Sequence, residues 1–332
     1  MLRLAAAAAA ALMLLPFTAQ AQDVPAAPVM SGDVRIHDPS VIVENGHWVS
    51  FQTGAEGFWR GAILLKTSPD GIEWKNAGGI GKGLPAWPET ELGYRSQLIW
   101  APSVSKYGDT IYLYYSVSSF GINASAIGLM TNSAFDPLKP DQGWEDQGLV
   151  LKSGVKDDFN AIDPFRIDIA EGRAWLAYGS FWSGIKMREL DPTTGKLIAP
   201  DAPVHGIASR NGGAIEAPAI LVHDGKFYLF VSFDQCCRGV DSTYRIMVGR
   251  ADAVTGPYLD RAGLDLMQGG GTEVQSGRGR YLGPGGQEPV FGAEDLLVYH
   301  YYDADERGMS KLQIAPIGWT EDGWPQLAAP PQ

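Results

Sequence analysis

A short phrase built on a proline recurs along the chain, and it constrains the fold more than any other feature. It reads His37-Asp38-Pro39-Ser40, Trp100-Ala101-Pro102-Ser103, Ile162-Asp163-Pro164-Phe165 and Ile215-Glu216-Ala217-Pro218, with a looser Leu282-Gly283-Pro284-Gly285-Gly286. The prolines Pro39, Pro102, Pro164, Pro218 and Pro284 stand 63, 62, 54 and 66 residues apart. Self-similarity at such a period marks repeated supersecondary units. Each phrase opens a paired-strand pattern: a Gly-containing turn such as Glu44-Asn45-Gly46 or His223-Asp224-Gly225, then an aromatic run such as Tyr112-Leu113-Tyr114-Tyr115 or Phe227-Tyr228-Leu229-Phe230. Those are hairpin signals. A third apolar run follows in every unit, for example Arg245-Ile246-Met247-Val248. A polar turn and a fourth short strand close it, as expected over Ser68–Trp74 and Asp191–Leu197.

Five units of about four strands predict an all-β, five-bladed β-propeller. Glycine and proline are plentiful, only 19% of residues are charged, and no long segment sustains an apolar period of 3.6, so strands are favoured over helices. Radial packing would bring the first strand of every blade to the central axis. Asp38, Asp163 and Glu216, far apart in sequence, are then expected to be neighbours in space.

The chain begins Met1-Leu2-Arg3, continues as an Ala/Leu run to about Phe17 and reaches Ala19-Gln20-Ala21. This is the pattern of a secretory signal over residues 1–21, leaving a single domain over 22–332 in a periplasmic or extracellular setting. No later stretch approaches the ~20 apolar residues of a membrane span. The net charge of −12 and the absence of Lys/Arg runs interleaved with aromatics give no footprint for nucleic acid or an anionic membrane. A soluble monomer is expected. The only cysteines, Cys236 and Cys237, are neighbours, and are either a vicinal disulfide forming a rigid local turn or two reduced, half-buried thiols. Gly269-Gly270-Gly271 lacks the Lys-Ser/Thr continuation of a phosphate loop and reads as a blade connector.

The proline phrases, together with Ser118-Ser119-Phe120-Gly121, Phe233-Asp234-Gln235-Cys236-Cys237 and Tyr299-His300-Tyr301-Tyr302-Asp303, resemble the endo-α-1,5-L-arabinanases of glycoside hydrolase family 43 from about Asp33 onward. The resemblance implies hydrolysis of internal α-1,5 links in arabinan with inversion. Asp38 would be general base, Glu216 general acid, and Asp163 the third acid that keeps the acid's pKa high and orients it. Inversion asks for two carboxyl groups ~6.5–9.5 Å apart, one ionised and one protonated. The resemblance further implies substrate contacts from Trp100, Phe120, Gly121, Asn160, Ser180, Phe181 and Trp182. It also implies a calcium ion near His300, completed by water because one imidazole cannot define a calcium site. His37 beside the base either hydrogen-bonds or packs. Two departures touch the ion and the second blade: family members often carry Asp where Ser103 stands and a His-Asn pair where Gly286-Gln287 stands.

Three other readings share this pattern. An exo-acting arabinofuranosidase or β-xylosidase would use the same propeller with one end of the groove closed. A retaining fructosidase-type propeller would carry Cys after the acid, where Ala217 stands. A non-catalytic sugar-binding propeller would usually lack one of the acids, whereas all three are present here.

Overall fold

The computed structural model describes residues 24–54, 62–81, 85–96 and 98–331; the signal sequence expected over residues 1–21 lies outside them. Their strands form five sheets, each antiparallel from an inner to an outer strand. The first blade comprises Ser40–Glu44, His47–Gln52, Ile63–Ser68 and Glu73–Ile80, with Ser31–Gly32 added in parallel outside. The second comprises Ile99–Tyr107, Thr110–Val117, Ser125–Asn132 and Glu145–Ser153. The third holds Phe165–Asp168, Ala174–Tyr178, Ile185–Leu190 and His205–Ala208, and the fourth Ile215–His223, Lys226–Phe233, Arg245–Ala251 and Thr272–Gln275. Tyr281–Pro289, Leu296–Asp303, Met309–Trp319 and Pro325–Leu327 make the fifth.

This is the five-bladed propeller expected, with two local corrections. The stretch Asp191–Leu197 does not close the third blade: Leu197 makes one bridge to Leu190, and the fourth strand comes at His205–Ala208. A short helix, Trp87–Leu92, with Pro88 in its first turn and Gly93 at its end, interrupts the strands between the first and second blades.

The aromatic second strands are buried along nearly their whole length, as in Thr110–Val117 and Ala174–Tyr178. A blade presents both faces to its neighbours, so its middle strands read as continuous apolar runs rather than alternating ones. The apolar interior is accordingly divided among five inter-blade layers. Ile42, Phe51, Leu113 and Tyr115 fill the space between blades one and two, Phe165, Met187, Leu229 and Phe233 that between three and four, and Val41, Trp74, Val298 and Leu312 that between five and one. Each fully buried side chain of this size contributes about 1.5–3 kcal/mol.

The ends of the ring are joined by the N-terminal segment. Ser31 and Asp33 donate backbone N–H groups to the carbonyls of Ile72 and Trp74 on blade one, at 3.0 and 2.8 Å. Three residues later Ile36 donates to Ser310 on blade five, and Leu312 donates back to Val34, at 3.2 and 2.9 Å. The same strap carries Asp33 to the buried Lys66 at 2.7 Å and leads directly into His37 and Asp38.

Candidate active site

Four of the five proline phrases meet around a narrow central channel, lined by Asp38-Pro39, Ala101-Pro102, Asp163-Pro164 and Ala217-Pro218. The fifth place is taken by Gly286-Gln287, followed by Glu288. This corrects the expectation that Pro284 is the fifth equivalent: glutamine stands where the other blades have proline. The residue ahead of each of these positions is left-handed: Asp38 (φ 48°), Ala101 (40°), Asp163 (56°), Ala217 (51°) and Gly286 (60°). Residues before proline normally take extended backbone. Four non-glycine residues held otherwise are strain concentrated at one place, a mark of functional sites.

The turned N–H groups form a ring of inter-blade hydrogen bonds. Ala101 N–H donates to Thr53 Oγ1 of blade one at 2.9 Å, and Asp163 N–H to Ser116 Oγ of blade two at 3.0 Å. Ala217 N–H donates to Asp163 Oδ2 of blade three at 3.0 Å, and Gly286 N–H to Ser232 Oγ of blade four at 3.0 Å. Asp38 N–H donates to His300 Nδ1 of blade five at 3.2 Å and closes the ring. Thr53, Ser116, Ser232 and His300 occupy equivalent places on or just beyond second strands. In blade three that place is Gly179, whose N–H bonds to Ile162 and which has no side chain to offer, so the Asp163 carboxylate serves instead. A buried N–H left unpaired costs about 1–3 kcal/mol, so each acceptor matters.

Asp38 Oδ2 accepts from Thr53 Oγ1 at 2.6 Å and lies 2.9 Å from His37 Nδ1. Burial alone would raise its pKa, but neighbouring His37 and its hydrogen bond, His300 and the Thr53 hydroxyl outweigh burial and hold it below the ordinary carboxylate range. Glu216 is buried, with Ser180 Oγ donating to Oε2 at 2.6 Å and the Tyr244 hydroxyl to Oε1. Burial pushes its pKa up, the two hydroxyls oppose that, and Asp38 adds to it. Asp163 is pushed up by burial first and then by Glu216 and Asp38, against the pull of the Ala217 N–H. Like charges repel, so the Glu216–Asp163 pair holds protons more tightly than free carboxyls do while Asp38 is charged. That division is the one inverting hydrolysis requires.

The expected sugar contacts separate into two groups. Phe120 is 74% exposed, its ring 4.8 Å from that of half-buried Trp100, and Gly121 beside it is exposed, so an aromatic surface stands open at the second blade. Phe181 and Trp182 are half-buried in a turn where both are left-handed (φ 52° and 40°), and Phe181 N–H donates to the Ile215 carbonyl at 2.8 Å, next to Glu216. Ser180 and Asn160 are buried instead: Ser180 holds Glu216, and Asn160 Oδ1 accepts from Ser125 Oγ at 2.6 Å.

His37, Asp38 and His300 bring ligand atoms within 4.8 Å of one another. Burial, then the neighbouring His37, lowers the His300 pKa to about 3, so its imidazole is neutral, and the lone pair on Nδ1 accepts the Asp38 N–H. One carboxylate and two imidazoles are too few oxygens for calcium alone, and the residues fit that ion only with water filling most of its shell.

Thr53, Tyr244, Glu288 and the ring hydroxyls were missed by sequence reasoning. Glu288 adds a fourth acid to the channel, accepting from Ser40 Oγ at 2.6 Å, and burial pushes its pKa up to about 8. Its signal was present, since it follows Gln287 as Ser103 follows Pro102, but it appears only once Gly286-Gln287 is recognised as the fifth phrase. Cys236 and Cys237 form the vicinal disulfide.

A family model described as glycosyl hydrolases family 43 matches residues 26–325. The chain is 44% identical over 292 residues to the extracellular endo-alpha-(1->5)-L-arabinanase 1 of Bacillus subtilis, covering 87% of each chain. It is 38% identical over 309 residues to the extracellular exo-alpha-(1->5)-L-arabinofuranosidase ArbA of Cellvibrio japonicus, covering 89% of this chain and 86% of that one. Among solved structures it resembles a GH43 endo-arabinanase from Bacillus licheniformis with a TM-score of 0.83 at 45% identity, covering 90% of this chain and 99% of that one.

Proposed function

The chain is a member of glycosyl hydrolase family 43, and from that premise we propose that it cleaves internal α-1,5-L-arabinofuranosidic links in arabinan with inversion. It is a glycoside hydrolase that acts on arabinan. The observation that carries the finer reading is the split in protonation between Asp38 and the Glu216–Asp163 pair around one channel. Asp38 takes a proton from water, which attacks the anomeric carbon, while Glu216 gives its proton to the leaving oxygen. Both hydrogen bonds to the Asp38 carboxylate fall on Oδ2; among the described residues none falls on Oδ1, which is thus free to orient that water. Asp163 keeps Glu216 protonated by like-charge repulsion and fixes its place through the Ala217 N–H.

Trp100, Phe120, Phe181 and Trp182 supply faces for furanose rings. Calcium would supply positive charge near the acids, held by Asp38, and by His300 once its Nδ1 gives up the Asp38 N–H. Residues 22–332 act as one catalytic unit, exported after loss of residues 1–21, in keeping with relatives described as extracellular. No helix among the described residues is long and apolar enough to cross a membrane.

Internal cleavage is favoured by the likeness to endo-acting relatives; terminal cleavage is the second reading, supported by the 38% identical exo-acting relative. The test is product analysis on linear debranched arabinan, with aryl arabinofuranoside and xylan alongside, using wild type and Glu216→Gln. Mixed arabino-oligosaccharides released early by wild type alone support the proposal. Monosaccharide from the outset moves the enzyme to the exo reading, and an active Glu216→Gln removes Glu216 from its role.

A further inference from the structure

We propose that the Cys236–Cys237 disulfide is a positioning element for Asp38, acting through Tyr302 and His37. The inference rests on the reading of Asp38 as the base. The two cysteines follow the second strand of blade four, and Cys237 is left-handed (φ 64°), which directs its N–H to Tyr302 Oη at 2.8 Å. Tyr302 lies on the second strand of blade five, buried, with its oxygen 3.0 Å from His37 Nε2 and 3.3 Å from His300 Nε2. His37 Nδ1 in turn lies 2.9 Å from Asp38 Oδ2.

One assignment of protons satisfies every one of these contacts. His300 Nδ1 accepts the Asp38 N–H, so neutral His300 carries its proton on Nε2, facing the Tyr302 oxygen. That oxygen also accepts the Cys237 N–H. Its own O–H is therefore left to donate to His37 Nε2, which leaves His37 Nδ1–H to donate to Asp38. The protons all point one way, from the disulfide turn to the carboxylate. The His37 ring is stacked on His300 at 4.1 Å between centroids, which stops the imidazole from swinging out of the chain.

The disulfide is what holds the first link. A non-glycine residue at positive φ relaxes to negative φ when nothing constrains it. The small ring that joins adjacent cysteines restricts both backbones, and without it the Cys237 N–H turns away from Tyr302. The phenol then loses a donor, and the His37–Asp38 contact loses its fixed orientation. Cys237 Sγ also sits 3.7 Å from His37 Nε2, close enough for a freed thiol to compete with the phenol for that nitrogen.

The experiment measures kcat and KM on linear arabinan for the oxidised protein, for protein treated with dithiothreitol, and for Cys236→Ser/Cys237→Ser, Tyr302→Phe and Asp38→Asn. Dithiothreitol is oxidised to its cyclic disulfide while each cysteine gains one electron and one proton, and thiol titration verifies two new thiols. Reduction is expected to lower kcat about tenfold with KM little changed, the pattern of a displaced reacting group. Tyr302→Phe is expected to lose a similar factor and to show no further response to reductant. That arm separates positioning from damage to the fold, since a loss through unfolding would appear in the variant as well. Unchanged kcat after verified reduction overturns the proposal, as does a rise in KM alone, which would make the disulfide a wall of the sugar groove. A Tyr302→Phe enzyme that responds to reductant as fully as wild type also overturns it. An active Asp38→Asn would instead overturn the reading of the base.

Discussion

Replacing Glu288 by glutamine should stabilise the protein at alkaline pH and leave it nearly unchanged at acidic pH. Glu288 lines the channel, takes hydrogen bonds from the Ser40 and Ser103 hydroxyls and faces the charged Asp38. Burial, with Asp38 adding to it, raises its pKa from 4.5 to about 8. In the folded protein it therefore binds a proton that the unfolded chain has released between those values. Stability from this group is fully present below pH 4.5 and is lost as pH rises through about 8. At 1.36 kcal/mol per unit the full shift would correspond to about 5 kcal/mol. The side chain is only partly buried, and screening by channel water brings the expected figure to about 2–3 kcal/mol. In a chain of this size that is about 5 °C in Tm. The assay is thermal unfolding of wild type and Glu288→Gln from pH 5 to pH 8.5 in buffer cleared of divalent ions. The difference in Tm should grow with pH in favour of the variant. A difference that stays flat across the range would refute the argument that Glu288 is held protonated by its site.

Glu216 raises the pKa of Asp163, and like-charge repulsion is mutual, so Asp163→Asn should lower that of Glu216 and move the alkaline limb of the pH–rate profile to lower pH; a limb that stays in place refutes the repulsion argument. Phe120→Ala should raise KM for arabinan several-fold, by about 1 kcal/mol of lost ring contact, with Tm unchanged because the ring lies outside the packed layers. Calcium added to chelated protein should raise the Tm of wild type but not of His300→Ala; an equal rise in both would place the ion elsewhere.

The strands were legible because blades bury both faces, which writes runs such as Tyr112-Leu113-Tyr114-Tyr115 plainly into the sequence. The three acids were legible because proline marks the left-handed turn in four blades. Where glycine takes that turn without strain, proline is not needed. Gly286-Gln287 therefore hid the fifth phrase and Glu288 with it, and Pro284 stood in as a decoy. Thr53, Ser116 and Ser232 were unreadable for a different reason. Each is an ordinary small hydroxyl residue at the end of a strand, and its partner belongs to the next blade, 47 to 54 residues further on. Asn160 and Ser180 were expected to contact sugar, but both are buried and bond to Ser125 and Glu216, and no local pattern distinguishes a residue that touches sugar from one that holds a residue that does.

The ring of turned N–H groups also has an order in time. Four of its links join residues 47 to 54 positions apart, but the link to Asp38 comes from His300, 262 positions away. Contacts at long sequence separation bear the greater loop-closure entropy and tend to form late. A chain emerging from synthesis or export thus assembles the surroundings of Glu216 and Asp163 well before it can hold Asp38. Until the last blade docks against the first, the hydrolase has its proposed acid in place and lacks a fixed proposed base, so a nick or truncation near either end should silence the enzyme while most of its blades still stand.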